Sequence, residues 1–163
     1  MGVETNAYSI PPKMMRKIKN NNDNLAYVLG YEEKPDWKFD EMDFGKRFEE
    51  NIVILREAGH GKIHDTLDLE EIVYSEDERK FIDYDGYEIC IISPSNVKKV
   101  SREFENVKFG KLKANSIAKE ITDYYGQIIR EYEYDYYISN LKQMKKFFAN
   151  AAEKGNYIIF ATA

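Results

Sequence analysis

"REYEYDYYISNLKQMKKFFANAAEKGNYIIF" runs from Arg130 to Phe160, and its reading decides the fold. The second half carries the clearest periodicity in the chain. Tyr137, Leu141, Met144, Phe148 and Ala151 step by four, three, four and three, so they share one helical face. Lys142, Lys145 and Lys146 turn to water on the other side. Gly155 is placed to end that helix, because glycine takes left-handed dihedrals without a Cβ clash. "NYIIFA" then has no polar alternation and reads as a strand buried on both faces. In the first half, Tyr132, Tyr134 and Tyr136 alternate with Glu131, Glu133 and Asp135 at period two. That spacing predicts an extended connection, one side against the core and the other wet.

Working back along the chain, Ile72 to Ser93 has strand character. Within it, Asp85-Gly86 suits a two-residue hairpin turn, pairing Tyr84 with Tyr87 and Ile82 with Ile89. The same register sets Asp83 opposite Glu88, a mildly repulsive pair. Ser93 can cap a helix whose first residue is Pro94 and whose inner face is Val97, Val100 and Phe104. A further helix is expected from Ser116 to Arg130 through Ile117, Ile121, Tyr124 and Ile128. Nearer the start, "VETNAYSI" reads as a strand halted by Pro11-Pro12, followed by a helix through Met14, Met15 and Ile18. "KNNNDN" is a turn after that helix. Phe44, Phe48, Ile52 and Leu55 predict one more helix, stopped at Gly59.

The chain of 163 residues is 43% hydrophobic, carries no linker between two apolar halves, and is expected to fold as a single domain over 1–163. One cysteine, Cys90, excludes an intrachain disulfide and suits a reducing cytosol. No apolar stretch approaches the roughly eighteen residues that span a bilayer, so no membrane role is expected. A net charge of −5 opposes non-specific nucleic-acid binding. The charge is unevenly spread. Asp65 to Glu88 holds ten acids and two bases, whereas Lys98 to Lys119 holds seven bases and two acids. The first stretch could meet a basic partner, or the two could be solvated faces that attract each other.

The N-terminal strand after "MG", Trp37 ahead of a helix, "IISPSNV" leading into another, the tyrosine-bearing connection and the closing "LKQMKKFFANAAEKGNYIIF" together resemble the YfbM-like family, small bacterial domains of unknown function. The resemblance implies an α+β fold and a cytosolic bacterial protein. It implies no catalytic residues.

Chemistry-bearing constellations are few. His60 and His64 stand four apart in "GHGKIHDTLD" with Asp65 and Asp68 beside them, but Gly59 and Gly61 interrupt the helix that would aim both rings at one metal. No metal site is therefore expected. No phosphate loop, dinucleotide fingerprint, Cys-x-x-Cys or nucleophile elbow occurs, and no cofactor is expected. Thirteen tyrosines are the stronger signal, because each ring brings contact area at low rotamer cost.

These features predict a small mixed or antiparallel sheet packed against several helices. The expected function is non-catalytic binding of a macromolecule, a basic protein partner above all and in one version an immunity-type partner, through the acidic stretch or Tyr132, Tyr134 and Tyr136. The competing reading is a small enzyme whose pocket gathers Trp37, His60, His64 and the Tyr132–Tyr136 connection.

Overall fold

The apolar run that closes the chain becomes the middle of a sheet. The computed structural model describes residues 3–68, 81–123 and 125–163. Among these, five strands form one sheet in the order β2-β1-β5-β4-β3. They are β1 (Thr5–Ile10), β2 (Asp40–Gly45), β3 (Phe81–Tyr84), β4 (Tyr87–Ile92) and β5 (Tyr157–Thr162). Every neighbouring pair is antiparallel. β5 lies between β1 and β4, so Thr5 faces Thr162 while Cys90 faces Phe160.

Helices cover both faces, and β5 explains why. Its Ile158 and Phe160 enter one apolar cluster, and its Ile159 and Ala161 enter another on the opposite face. The larger layer holds α3 (Phe48–Glu57), α4 (Gly61–Leu67), α5 (Pro94–Glu105), α6 (Phe109–Ala118) and α7 (Glu131–Lys154). The smaller holds α1 (Pro12–Asn20) and α2 (Leu25–Val28), together with Trp37. Phe160 ties the larger layer together. Its ring centroid lies 6.1 Å from Phe44 on β2, 5.1 Å from Phe48 on α3 and 6.5 Å from Phe148 on α7.

Local chemistry accounts for the predicted pieces that form as expected. Asp85 and Gly86 take φ of 49° and 81°, and Tyr84–Tyr87, Ile82–Ile89 and Asp83–Glu88 pair as anticipated. Asp83 and Glu88 both face solvent, which screens their repulsion. The Ser93 hydroxyl accepts a hydrogen bond from the Asn96 amide at 3.3 Å and starts α5 at Pro94. Gly155 at φ 66° ends α7, whose seam from Tyr137 to Ala151 is buried throughout. The α+β class and the sheet packed on several helices are as predicted, with one strand more than anticipated. Of the predicted Ile72–Ser93 strand region, the part before Phe81 lies outside the described residues.

Three expectations fail. Phe44 is not helical: it is the inward residue of β2, where Met42 and Phe44 are buried and Asp40, Glu41 and Asp43 are exposed. Gly45, at φ 55°, breaks the chain before Phe48, so the four-residue spacing of the two rings spans a strand and a helix. Second, the helix expected from Ser116 to Arg130 ends at Ala118. Glu120 at φ 49° and Gly126 at φ 75° cannot continue it, and Thr122 bridges to Ile128 across a small turn in which the Asp123 carboxylate accepts from the Tyr125 and Gln127 amides. Third, the tyrosine connection is helical from Glu131 onward.

Two outcomes follow from the buried sheet. Phe160→Ala removes the ring shared by three elements and is expected to cost about 3–5 kcal/mol in urea unfolding, whereas Tyr157→Ala at the half-buried strand end costs far less. Burial, then Glu88, pushes the Cys90 thiol up to about 12, and burial, then Glu41, Tyr87 and Asp43, pushes Tyr8 up to about 12. Both groups stay protonated in the folded protein while the unfolded chain ionises from their ordinary values of 9.0 and 10.0. Their contribution to stability is therefore complete below pH 9.0 and is lost as pH rises toward about 12, which urea midpoints across that range will show.

Candidate functional site

The first two turns of α7 sort their tyrosines by helical position, not by alternation. Glu131 and Glu133 in the first turn suit the positive end of the helix dipole, and the Glu133 carboxylate accepts from the Arg130 amide at 2.8 Å. Helix therefore wins over strand. Tyr132 and Tyr136, four residues apart, share the outer face and stay 70% and 52% exposed. Tyr134 and Tyr137 turn inward with Ile138 and Leu141. The expectation of one half-wet row of three rings is thus corrected, since Tyr134 has no exposed surface.

Arg47 locks this surface to the rest of the fold. It sits between β2 and α3, and its guanidinium carbon lies 4.8 Å from the Tyr136 ring centre and 5.5 Å from that of Tyr137. Its Nη1 donates to the Tyr137 hydroxyl at 3.3 Å. Tyr137 meets Tyr134 and Tyr136 edge-on at 6.5 and 6.0 Å. Lys113 of α6 donates to Asp135 at 2.8 Å, which ties a second helix to the same turn. Burial and then the Glu50 charge raise the Tyr137 phenol, against the opposing pull of Arg47. Burial, then Tyr137 and Glu133, raises Tyr134. Both are neutral phenols at physiological pH, and the Tyr134 hydroxyl has no hydrogen-bond partner among the described residues.

Exposed apolar area concentrates here. Of the large exposed hydrophobics among the described residues, Val3, Tyr31, Tyr125, Ile128, Tyr132 and Tyr136, the last four fall between Tyr125 and Tyr136. Asp123, Glu131, Glu133 and Asp135 surround them in sequence, against Arg130.

The other residues singled out in the sequence do not join this surface. Trp37 packs in the smaller layer, edge-on to Tyr27 at 5.2 Å, so the sheet stands between it and Tyr134. His60 precedes α4, and His64 lies within it, its Nδ1 3.3 Å from the Asp65 carboxylate. No group of three or more His, Cys, Asp or Glu side chains among the described residues is arranged to hold a metal ion. Of the acidic stretch, Asp65, Asp83, Asp85 and Glu88 are exposed, and its middle from 69 to 80 lies outside the described residues. Arg47 was missed in the sequence, because the segment around it read as continuous helix.

An antiparallel sheet clad in helices on both faces, with an aromatic surface at the start of its longest helix, defines a class of α+β domain rather than an activity. Residues 1–161 match the family described as a domain of unknown function, DUF1877, and the chain belongs to that family. Its fold is similar to the crystal structure of YfbM, a protein of unknown function from Escherichia coli, with a TM-score of 0.61 at 12% identity over 98% of this chain and 99% of that one. The resemblance to the YfbM-like family is thereby confirmed. No curated protein matches the chain. Among the described residues no helix is long and apolar enough to cross a membrane.

The two inward tyrosines should respond oppositely to loss of their hydroxyls. Tyr137→Phe removes the bond from Arg47 and is expected to lower stability by about 1 kcal/mol. Tyr134→Phe removes a buried hydroxyl that has no partner among the described residues and is expected to leave stability unchanged or raise it by about 1 kcal/mol. Urea midpoints of the two variants decide the matter, and a larger loss for Tyr134→Phe would contradict the assignment.

Proposed function

We propose that this protein is a non-catalytic binding protein of the cytosol whose contact surface is the outer face of early α7 and the turn before it. The observation that carries this reading is the concentration of exposed apolar side chains between Tyr125 and Tyr136. Tyrosine rings held on a rigid helix bring contact area at little entropic cost. Arg47 and the Lys113–Asp135 pair hold the helix start in place before any partner arrives.

The partner that fits is a basic protein. Its lysine or arginine side chains would lie over the Tyr132 ring and meet Glu131 at its edge, since Arg47 already lies over Tyr136 and Lys113 holds Asp135. A protein that neutralises a basic toxin would be one instance of this class. The exposed acids Asp65, Asp83, Asp85 and Glu88 extend the same sign of charge and favour the encounter at long range.

A photo-crosslinker placed at Tyr132 in the host is expected to trap one basic polypeptide, and a crosslinker at the exposed Lys13 of α1 is not. Affinity for the trapped polypeptide should fall as ionic strength rises, and Tyr136→Ala should weaken it by about tenfold. Equal trapping from both positions, or binding indifferent to salt, would sink this reading.

A further inference from the structure

The opposite face of the sheet carries a second aromatic group that the α7 surface does not use. Tyr84 and Tyr87 are cross-strand partners flanking the Asp85-Gly86 turn, so their side chains leave the hairpin on one face, and both pack against the smaller layer. Tyr31, from the loop after α2, meets Tyr87 edge-on with ring centroids 6.3 Å apart and stays 52% exposed. Exposed carboxylates rim the group. Asp85 is in the turn, Glu32 follows Tyr31, and Asp23 lies in the short helical turn Asn22–Asn24. Burial, then the charges of Asp23, Asp85 and Glu32, raises the Tyr84 phenol, which places all three acids within electrostatic reach of that ring.

Neighbouring rings on this face are already covered by the chain's own cations. Lys19 lies 4.7 Å over Tyr157, and Lys34 lies 5.0 Å from the Tyr27 centre and 5.2 Å from that of Trp37. Among the described residues no lysine or arginine is stacked over Tyr31, Tyr84 or Tyr87. Tyr31 is exposed and Tyr84 and Tyr87 are half-buried beside carboxylates of one sign, an arrangement that attracts an organic cation.

We propose that Tyr31, Tyr84 and Tyr87, rimmed by Asp23, Glu32 and Asp85, seat an arginine side chain of a partner protein. Arginine fits better than lysine because a planar guanidinium stacks on a ring while its N–H fork still reaches carboxylates at the edge. The molecule already makes this contact internally, where Arg47 stacks on Tyr136 and bonds the Tyr137 hydroxyl. The carboxylate rim repels anions and leaves an uncharged apolar segment without a partner for its negative field. The seat is separated from the α7 surface by the sheet and stands or falls independently of it.

The test uses the full chain, isotopically labelled, titrated with a capped tri-arginine peptide and followed by amide chemical shifts. Shifts are expected to centre on Tyr31, Glu32 and Asp85. A capped tri-lysine peptide of the same charge should bind more weakly. Tyr31→Ala, at an exposed ring, should weaken tri-arginine binding by about two- to fivefold, as should the pair Glu32→Gln and Asp85→Asn. Amide spectra of the variants confirm that they remain folded. Shifts confined to the α7 tyrosines, shifts spread over every acidic surface, no shifts at all, or equal binding of tri-lysine untouched by Tyr31→Ala would each overturn the proposal.

Discussion

Burial of β5 on both faces is the constraint from which the architecture follows. A strand of Ile158, Ile159, Phe160 and Ala161 has no polar face to offer water, so it must be central and must be covered twice. That demand calls for a strand on each edge, here β1 and β4, and for helices on either side of the sheet. It also separates the molecule into two apolar clusters that share only the strands between them. Phe160 then sets the spacing of β2, α3 and α7, since one ring packs against all three.

That separation decides what can cooperate. Arg47, Tyr136 and Tyr137 belong to one side and act together, because the turn after β2 delivers the guanidinium onto α7. Trp37 belongs to the other side, where Lys34 covers it. A pocket joining Trp37 to the α7 tyrosines would have to pass through the sheet that separates the two apolar clusters. The family and the likeness to YfbM establish the fold and leave function to the surfaces.

The sequence was legible wherever local chemistry and burial agreed. The α7 seam, Gly155, the Asp85-Gly86 hairpin and the Ser93-Pro94 cap each name their structure within a few residues. It misled where two periodicities coincided over a short window. Phe44 and Phe48 have helical spacing, yet Gly45 divides a strand from a helix between them. Six residues alternating Tyr with Glu or Asp satisfy a strand pattern, and only the continuation to Leu141 and Met144 shows that Tyr134 is the first inward ring of a helix. Ile117, Ile121 and Ile128 have helical spacing too, but Glu120 and Gly126 adopt left-handed dihedrals that end the helix early. Arg47 had no local signal, because its role exists only once β2 and α7 are adjacent.

Strand order has a consequence for how the polypeptide is made. The innermost strand is the last of the five to leave the ribosome, so the β2-β1 and β4-β3 pairs must wait as separate half-sheets. During that wait β1 and β4 each present an unpaired apolar edge, the kind that recruits foreign strands. A nascent chain of this protein therefore keeps two strand edges open until β5 slots between β1 and β4.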